Sequence, residues 1–272
     1  MKGPRRLRRG AVLALLPWAL AAHADQPLWE LGMGAGVLRV PHYRGSDQSH
    51  DWLLPVPYLV YRGQILRSDR DGTRAVLLDS ERFHIDLSLD GSPPASASDN
   101  RARSGMPELA ATLEIGPKLN LMLAKGTGWK LDLRLPLRAA FTVQSRPQSI
   151  GWTSNPVLNL DLEVSGWNIG LQGGPLAGSQ RFHAYFYDVA PAYATPTRPA
   201  YTARSGAAGW GLTTSASRRL GDWWLAGFWR LDSVAGATFD ASPLIRQRQN
   251  TTFGLAASWV FKTSDARVAD PR

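Results

Sequence analysis

The chain has 272 residues, a formal net charge of +9 and no cysteine. The last fact excludes disulfides, thiolate metal sites and cysteine nucleophiles together. Only 44% of the residues are apolar, while Gly and Pro number 26 and 19, a composition that excludes a bundle of membrane helices and suits strands joined by turns.

Residues 1–24 read as a secretory signal peptide. Lys2, Arg5, Arg6, Arg8 and Arg9 form a basic head, AVLALLPWAL is a short apolar core, and Ala22-His23-Ala24 is a small-x-small cleavage site. The core is too short to span a bilayer and Pro17 interrupts it. Cleavage after Ala24 removes these five basic residues and no acidic ones, so the charge falls from +9 to +4. Net charge therefore makes no case for a nucleic-acid partner.

Beyond residue 24 the pattern is alternation. Strands are predicted at 28–40, 52–62 and 73–79. In 83–90, Phe83, Ile85, Leu87 and Leu89 oppose His84, Asp86, Ser88 and Asp90. In 113–123, leucines and Ile115 oppose Glu114, Lys118 and Asn120. In 129–143, Trp129, Leu131, Leu133, Leu135 and Leu137 oppose Lys130, Asp132, Arg134 and Arg138, with Pro136 marking a bulge or break. Residues 158–164 set Leu158, Leu160 and Leu162 against Asn159, Asp161 and Glu163. Further strands are expected at 167–172, 183–190, 207–219, 223–232 and 251–261.

Alternation fits a soluble sandwich or a membrane barrel. Export, uncharged apolar faces and many aromatics near strand ends (Trp29, Trp52, Trp129, Trp167, Trp210, Trp223, Trp224, Trp259, Phe261) favour the barrel. The fold expected is all-β: a transmembrane outer-membrane β-barrel of about 12 antiparallel strands, 10–12 being compatible. Residues 25–261 form the barrel and 262–272 a short tail. The last strand ends in the aromatic Phe261, followed by KTSDARVADPR. The tight turns at 79–82, 125–128, 165–166 and 220–222 raise a parity conflict. With these twelve strands, the last turn falls on the opposite side from the other three.

The charged alternate positions make up a candidate lumen network: Asp86, Glu114, Lys118, Lys130, Asp132, Arg134, Arg138, Asp161 and Glu163. Its plain reading is an ion-pair lining of a narrow barrel, and its alternative a solute-selecting pore. GMGAG (32–36) lacks the helix that a phosphate loop needs. No histidine pair has ligand spacing and no G-x-S-x-G elbow occurs, so neither metal, cofactor nor catalytic residues are expected. Tyr43, Arg44, Arg103 and Met106, in the loops PHYRGSD and SASDNRARSGMPEL, are candidate partner-binding residues.

PHYRGSDQ (41–48), PVPYLVYRG (55–63), RDG (70–72), GMPEL (105–109) and LEIGPKL (113–119), in this order, resemble the MipA/OmpV family of MltA-interacting outer-membrane proteins. The resemblance implies an outer-membrane barrel in a Gram-negative bacterium. It also implies a non-catalytic scaffold bridging a lytic transglycosylase and a bifunctional murein synthase, with outer-membrane lipid as the surrounding partner. The alternatives are a passive pore for small solutes or an adhesin-like surface protein.

Overall fold

The computed structural model describes residues 26–62, 66–69, 72–80 and 83–268. The expected signal peptide lies outside them. The strands are β1 (Trp29–Pro41), β2 (Ser49–Arg62), β3 (Leu66–Asp69), β4 (Gly72–Asp79), β5 (Phe83–Ser92), β6 (Thr112–Gly126) and β7 (Trp129–Pro136 continued by Arg138–Thr142). They go on with β8 (Ser149–Ser154 continued by Val157–Val164), β9 (Trp167–Gly178), β10 (Gly206–Leu220), β11 (Trp223–Ser233) and β12 (Gln249–Thr263). Each pairs antiparallel with its neighbours in sequence, and β12 pairs with β1 through Gly254↔Leu38 and Ser258↔Gly34. The ladder is thus a closed cylinder of twelve antiparallel strands.

The break within β7 follows Pro136 and the break within β8 contains Pro156, where proline withholds a ladder donor. The β7 ladder carries on through its break, because Leu137 N–H donates to Pro117 O at 3.0 Å.

Two expectations on strand placement are corrected. Residues 183–190 are not a strand: Gln180–Tyr187 form helix α1, and the Ser179 hydroxyl accepts from Phe182 N–H at its start. Eight residues are too few to display a helical period against a background of alternation. In the fold, His183, Phe186 and Tyr187 share the buried face. Leu66–Asp69 is a strand that was not expected. Removing one strand and adding the other keeps the total at twelve and resolves the parity conflict. All four tight turns now lie at the end where β1 begins and β12 finishes. The turn at 165–166 shows the chemistry: Ser165 and Gly166 have φ of 51° and 78°, as a two-residue type I′ hairpin requires.

The connections 42–48, 93–111, 143–148, 179–205 and 234–248 gather at the other end. Outer-membrane barrels place short turns towards the periplasm and long loops outside. A short pairing of Gln26–Pro27 with Arg267–Val268 ties the two chain ends together below the barrel.

The exterior is apolar: Leu53, Leu123, Leu137, Leu158, Leu171 and Leu255 are exposed there. Trp129, Trp167, Trp223, Trp259 and Phe261 ring the short-turn end, and Trp152 and Trp210 the loop end, where amphipathic rings meet the headgroups. Trp52 and Trp224 are corrected: their register, opposite Leu38 and Ser258, turns them into the lumen. The glycines of GMGAG also face inward. A Cβ at Gly34 would overlap the Ala257 carbonyl oxygen and Ser258, so these glycines let β1 and β12 coil closely.

Replacing the outward Leu255 by arginine is expected to cost about 2–4 kcal/mol of barrel stability. The inward Thr213→Arg should cost less than half of that. Urea unfolding in lipid vesicles measures both, and equal costs would contradict the assigned faces.

Candidate functional site

The lumen wall is divided. Along β5–β8 it is charged. Asp86, only 1% exposed, accepts from Asn120 Nδ2 at 3.0 Å and lies 3.7 Å from Lys118 Nζ and 3.6 Å from His84 Nε2. Asp132 and Asp161 share two cations: Arg134 reaches them at 2.6 and 3.3 Å, and Lys130 Nζ is 3.6 Å from each. Asn159 Nδ2 donates to both carboxylates, at 3.3 and 2.9 Å. Arg138 donates to Ser88 Oγ and Asn155 Oδ1, both at 2.8 Å, and pairs with Asp90 at 3.5 Å. Glu114 accepts from Thr153 Oγ1 at 2.6 Å. Glu163 lies nearer the 165–166 turn and is exposed. The structure therefore gathers eight of the nine expected network residues on adjoining strands, in cross-strand pairs that satisfy buried charge.

Sequence reasoning missed two further clusters. Glu30 binds Arg62 at 2.7 Å and Arg219 at 2.9 Å near the short-turn end. Asp232 binds Arg230 at 2.7 Å and Arg44 at 3.3 Å near the loop end. The signal was available, since Glu30, Arg230 and Asp232 occupy the inward parity of their strands. Arg230 and Asp232 pair within one strand, whereas Arg62, Arg219 and Arg44 reach their carboxylates from strands or a loop distant in sequence, which parity does not reveal.

Between these two clusters, along β1, β2, β11 and β12, the lumen wall is mainly apolar. Gly32, Gly34 and Gly36 form its floor, with Leu38, Trp52, Leu54, Val56, Ala226 and Phe228 around them.

The second part of the site is the loop layer. The 42–48 loop, the 93–111 loop and the α1-containing 179–205 loop leave the ring four strands apart on a cylinder of twelve. Each touches the other two. Asn100 Nδ2 donates to Ser46 Oγ at 3.1 Å, Tyr187 Oη to Arg44 O at 3.0 Å, and Arg103 Nη1 to Phe186 O at 2.9 Å. Loops rooted a third of the circumference apart can meet pairwise only above the lumen mouth. The 234–248 loop joins them: Tyr43 Oη donates to Leu244 O at 2.8 Å, and Phe239 stacks on Tyr187 at 3.8 Å. Tyr43, Met106, Leu109, Tyr187, Phe239 and Leu244 are buried together in this layer.

The four candidate partner-binding residues are all part of this packing. Tyr43 and Met106 are in its apolar core, and burial pushes the Tyr43 phenol up to about 12. Arg103 is 4% exposed. It donates to the carbonyls of Phe186 and Pro107 and lies over the Tyr43 ring. Burial lowers its pKa first, with the Tyr43 and Tyr185 phenols acting against it. Arg44 Nη2 donates to Ser233 O at 3.2 Å, pinning the first loop to β11. Their side chains bind loop to loop.

His183, 1% exposed, packs edge-on against Phe239 and donates from Nδ1 to Arg204 O at 2.6 Å. Among the described residues its Nε2 has no hydrogen-bond partner. Burial lowers its pKa, the Arg204 carbonyl bond opposes that, and Arg44 lowers it further. Among the described residues no group of three or more potential metal ligands occurs.

A closed cylinder with an apolar exterior, a paired-charge lumen and one looped end is an outer-membrane β-barrel. The chain belongs to the MipA family: the profile described as MltA-interacting protein MipA matches residues 33–261. No curated protein matches the sequence. Among solved structures, a NanC porin is similar at 7% identity, covering 84% of this chain and 98% of the porin with a TM-score of 0.39. Outer membrane phospholipase A of Escherichia coli is similar at 11% identity, covering 88% and 92% with a TM-score of 0.34.

Arg103→Ala removes two charge-assisted bonds to carbonyls and is expected to destabilise the loop layer by about 2 kcal/mol. Trypsin should then cut within 93–111 faster, while the barrel keeps its heat-modifiable mobility on gels. Unchanged cutting would show that Arg103 does not hold the layer.

The histidines give a pH dependence. Burial lowers the pKa of His183, and burial with His50 lowers that of His42 against the pull of Asp99 and Asp47. The unfolded layer therefore binds more protons than the folded one. Their contribution is complete above the unfolded histidine pKa of about 6.5 and is lost as pH falls below it. Amide protection across 180–205, taken relative to the intrinsic exchange rate at each pH, should fall below that pH in the wild type. The step should vanish in the His42→Gln/His183→Gln variant, and its persistence there would refute the assignment.

Proposed function

We propose that the protein is a non-catalytic outer-membrane scaffold that links a lytic transglycosylase to a bifunctional murein synthase during peptidoglycan remodelling. The observation that carries this reading is the match over residues 33–261 to the family of the MltA-interacting protein MipA. The architecture supports it in two ways. Asp132 and Asp161 are locked in ion pairs with Lys130 and Arg134 and so are poorly placed for acid–base work. The loop layer over the mouth suits a barrel that holds partners more than one that passes solutes.

Wall enzymes act in the periplasm, so the contact surface of this reading is the short-turn end. Lys125, Glu163, Asp222, Lys262, Asp265 and Arg267 are exposed there, around the tryptophan ring. Such a rim of mixed charge gives electrostatic complementarity for docking at the membrane surface. The signal peptide of residues 1–24 would deliver the chain to this compartment.

Folded barrel immobilised in detergent should retain a lytic transglycosylase and a murein synthase from envelope extract. A barrel of similar charge but different fold family serves as control. Lys125→Glu/Lys262→Glu should lower retention by about tenfold, whereas Arg103→Ala should leave it unchanged. Retention no better than the control, or lost only with the loop variant, would sink the scaffold reading.

A further inference from the structure

Along β10, β11, β12 and β1 the lipid-facing wall is hollowed. Ala216 and Gly227 are cross-strand partners there, as are Ala257 and Ala35. All four have the outward parity of Leu255, because Gly227 opposes Leu255 and Ala257 is two residues beyond it. Their short side chains leave a groove of about 800 Å³, walled by Leu53, Leu255, Phe253, Trp229 and Trp167.

A charged group stands at the short-turn end of this groove. Arg218 opposes Leu225 on β11, and Leu225 opposes Ala257 on β12, so Arg218 also has outward parity. Its guanidinium carbon is 5.7 Å from the centre of the Trp167 ring. Among the described residues no carboxylate pairs with it. Its neighbour Arg219, which faces the lumen, binds Glu30 at 2.9 Å. An arginine facing hydrocarbon is costly at the midplane and tolerated near an interface, where its long stem carries the charge to the headgroups. The planar guanidinium fits a phosphate through two parallel N–H···O bonds.

The groove also has the reach of one leaflet. On β10 it extends from beside Arg218 to Thr214, which at roughly 3.3 Å per residue is about 13 Å along the strand. The apolar band of such barrels is about 25 Å tall. A second copy of the chain suits the groove poorly. A two-fold axis along the membrane normal would bring the Arg218 of each copy to the same height, like charge against like. A lipid brings the opposite charge to Arg218 and an apolar chain to the hollow.

We propose that this groove is a binding site for one anionic phospholipid of the periplasmic leaflet, with its phosphate on Arg218 beside Trp167 and an acyl chain along Ala257, Gly227 and Ala216. Nothing in this site depends on the scaffold reading.

The test counts lipids on the folded barrel. Wild type and variants are folded into detergent micelles, checked for heat-modifiable mobility and titrated with dioleoylphosphatidylglycerol or dioleoylphosphatidylcholine. Native mass spectrometry then reads the number of lipids retained per barrel. The wild type should retain one phosphatidylglycerol, about fivefold more tightly than phosphatidylcholine. Arg218→Gln should weaken phosphatidylglycerol about tenfold and abolish the preference. Ala216→Leu, which fills the groove, should weaken both lipids about fivefold and keep the preference. Lys262→Gln removes a cation that lies over Trp29 outside the groove and should change neither lipid. Equal retention of the two lipids by the wild type, or unchanged retention in Arg218→Gln or Ala216→Leu, overturns the proposal. Barrel dimers that Ala216→Leu disperses would put a second copy in the groove and overturn it as well.

Discussion

The structure depends on a constraint of the solvent. In hydrocarbon a backbone N–H or C=O without a partner costs several kcal/mol, so a sheet that enters a bilayer must close on itself. Here closure is the pairing of β12 with β1. It turns alternation into an inside and an outside: the leucines of 131, 133 and 135 face lipid, and Lys130, Asp132 and Arg134 face one another. The ion pairs of the lumen are a consequence of closure. Buried charges stay ionised only when paired and hydrogen-bonded, and adjoining strands supply opposite charges at matching heights.

Closure also explains why the loops behave as a second core. The barrel interior is lined with charge on one side and small residues on the other, so it offers little apolar volume to bury. The molecule's buried aromatic cluster lies instead above the mouth, where Tyr43, Phe186, Tyr187 and Phe239 pack together. Residues of an interface-prone type, arginine and tyrosine, were reasonable candidates for partner contacts. The fold uses them to hold loop to loop. A buried guanidinium satisfied by carbonyls, as in Arg103, locks the geometry of the segments it joins.

The two ends of the cylinder thus separate two kinds of surface. The short-turn end carries an exposed rim of mixed charge. The loop end is sealed by its own packing.

The sequence by itself determined the class of fold, the faces of most strands and the charged positions along β5–β8. A period of two is a local property, and membrane insertion leaves it a single consistent meaning. It also carried the family, through the order of short motifs from PHYRGSDQ to LEIGPKL. Only the tertiary structure decided the rest. Residues 183–190 alternate well enough to read as a strand, yet they become α1 because His183, Phe186 and Tyr187 find a common face against Phe239, 53 residues beyond Phe186. The brief 66–69 segment is a strand because neighbours on both sides supply its partners. The inward turn of Trp52 and Trp224 follows from register with β1 and β12. In each case the deciding contact lies far along the chain, beyond what local pattern can show.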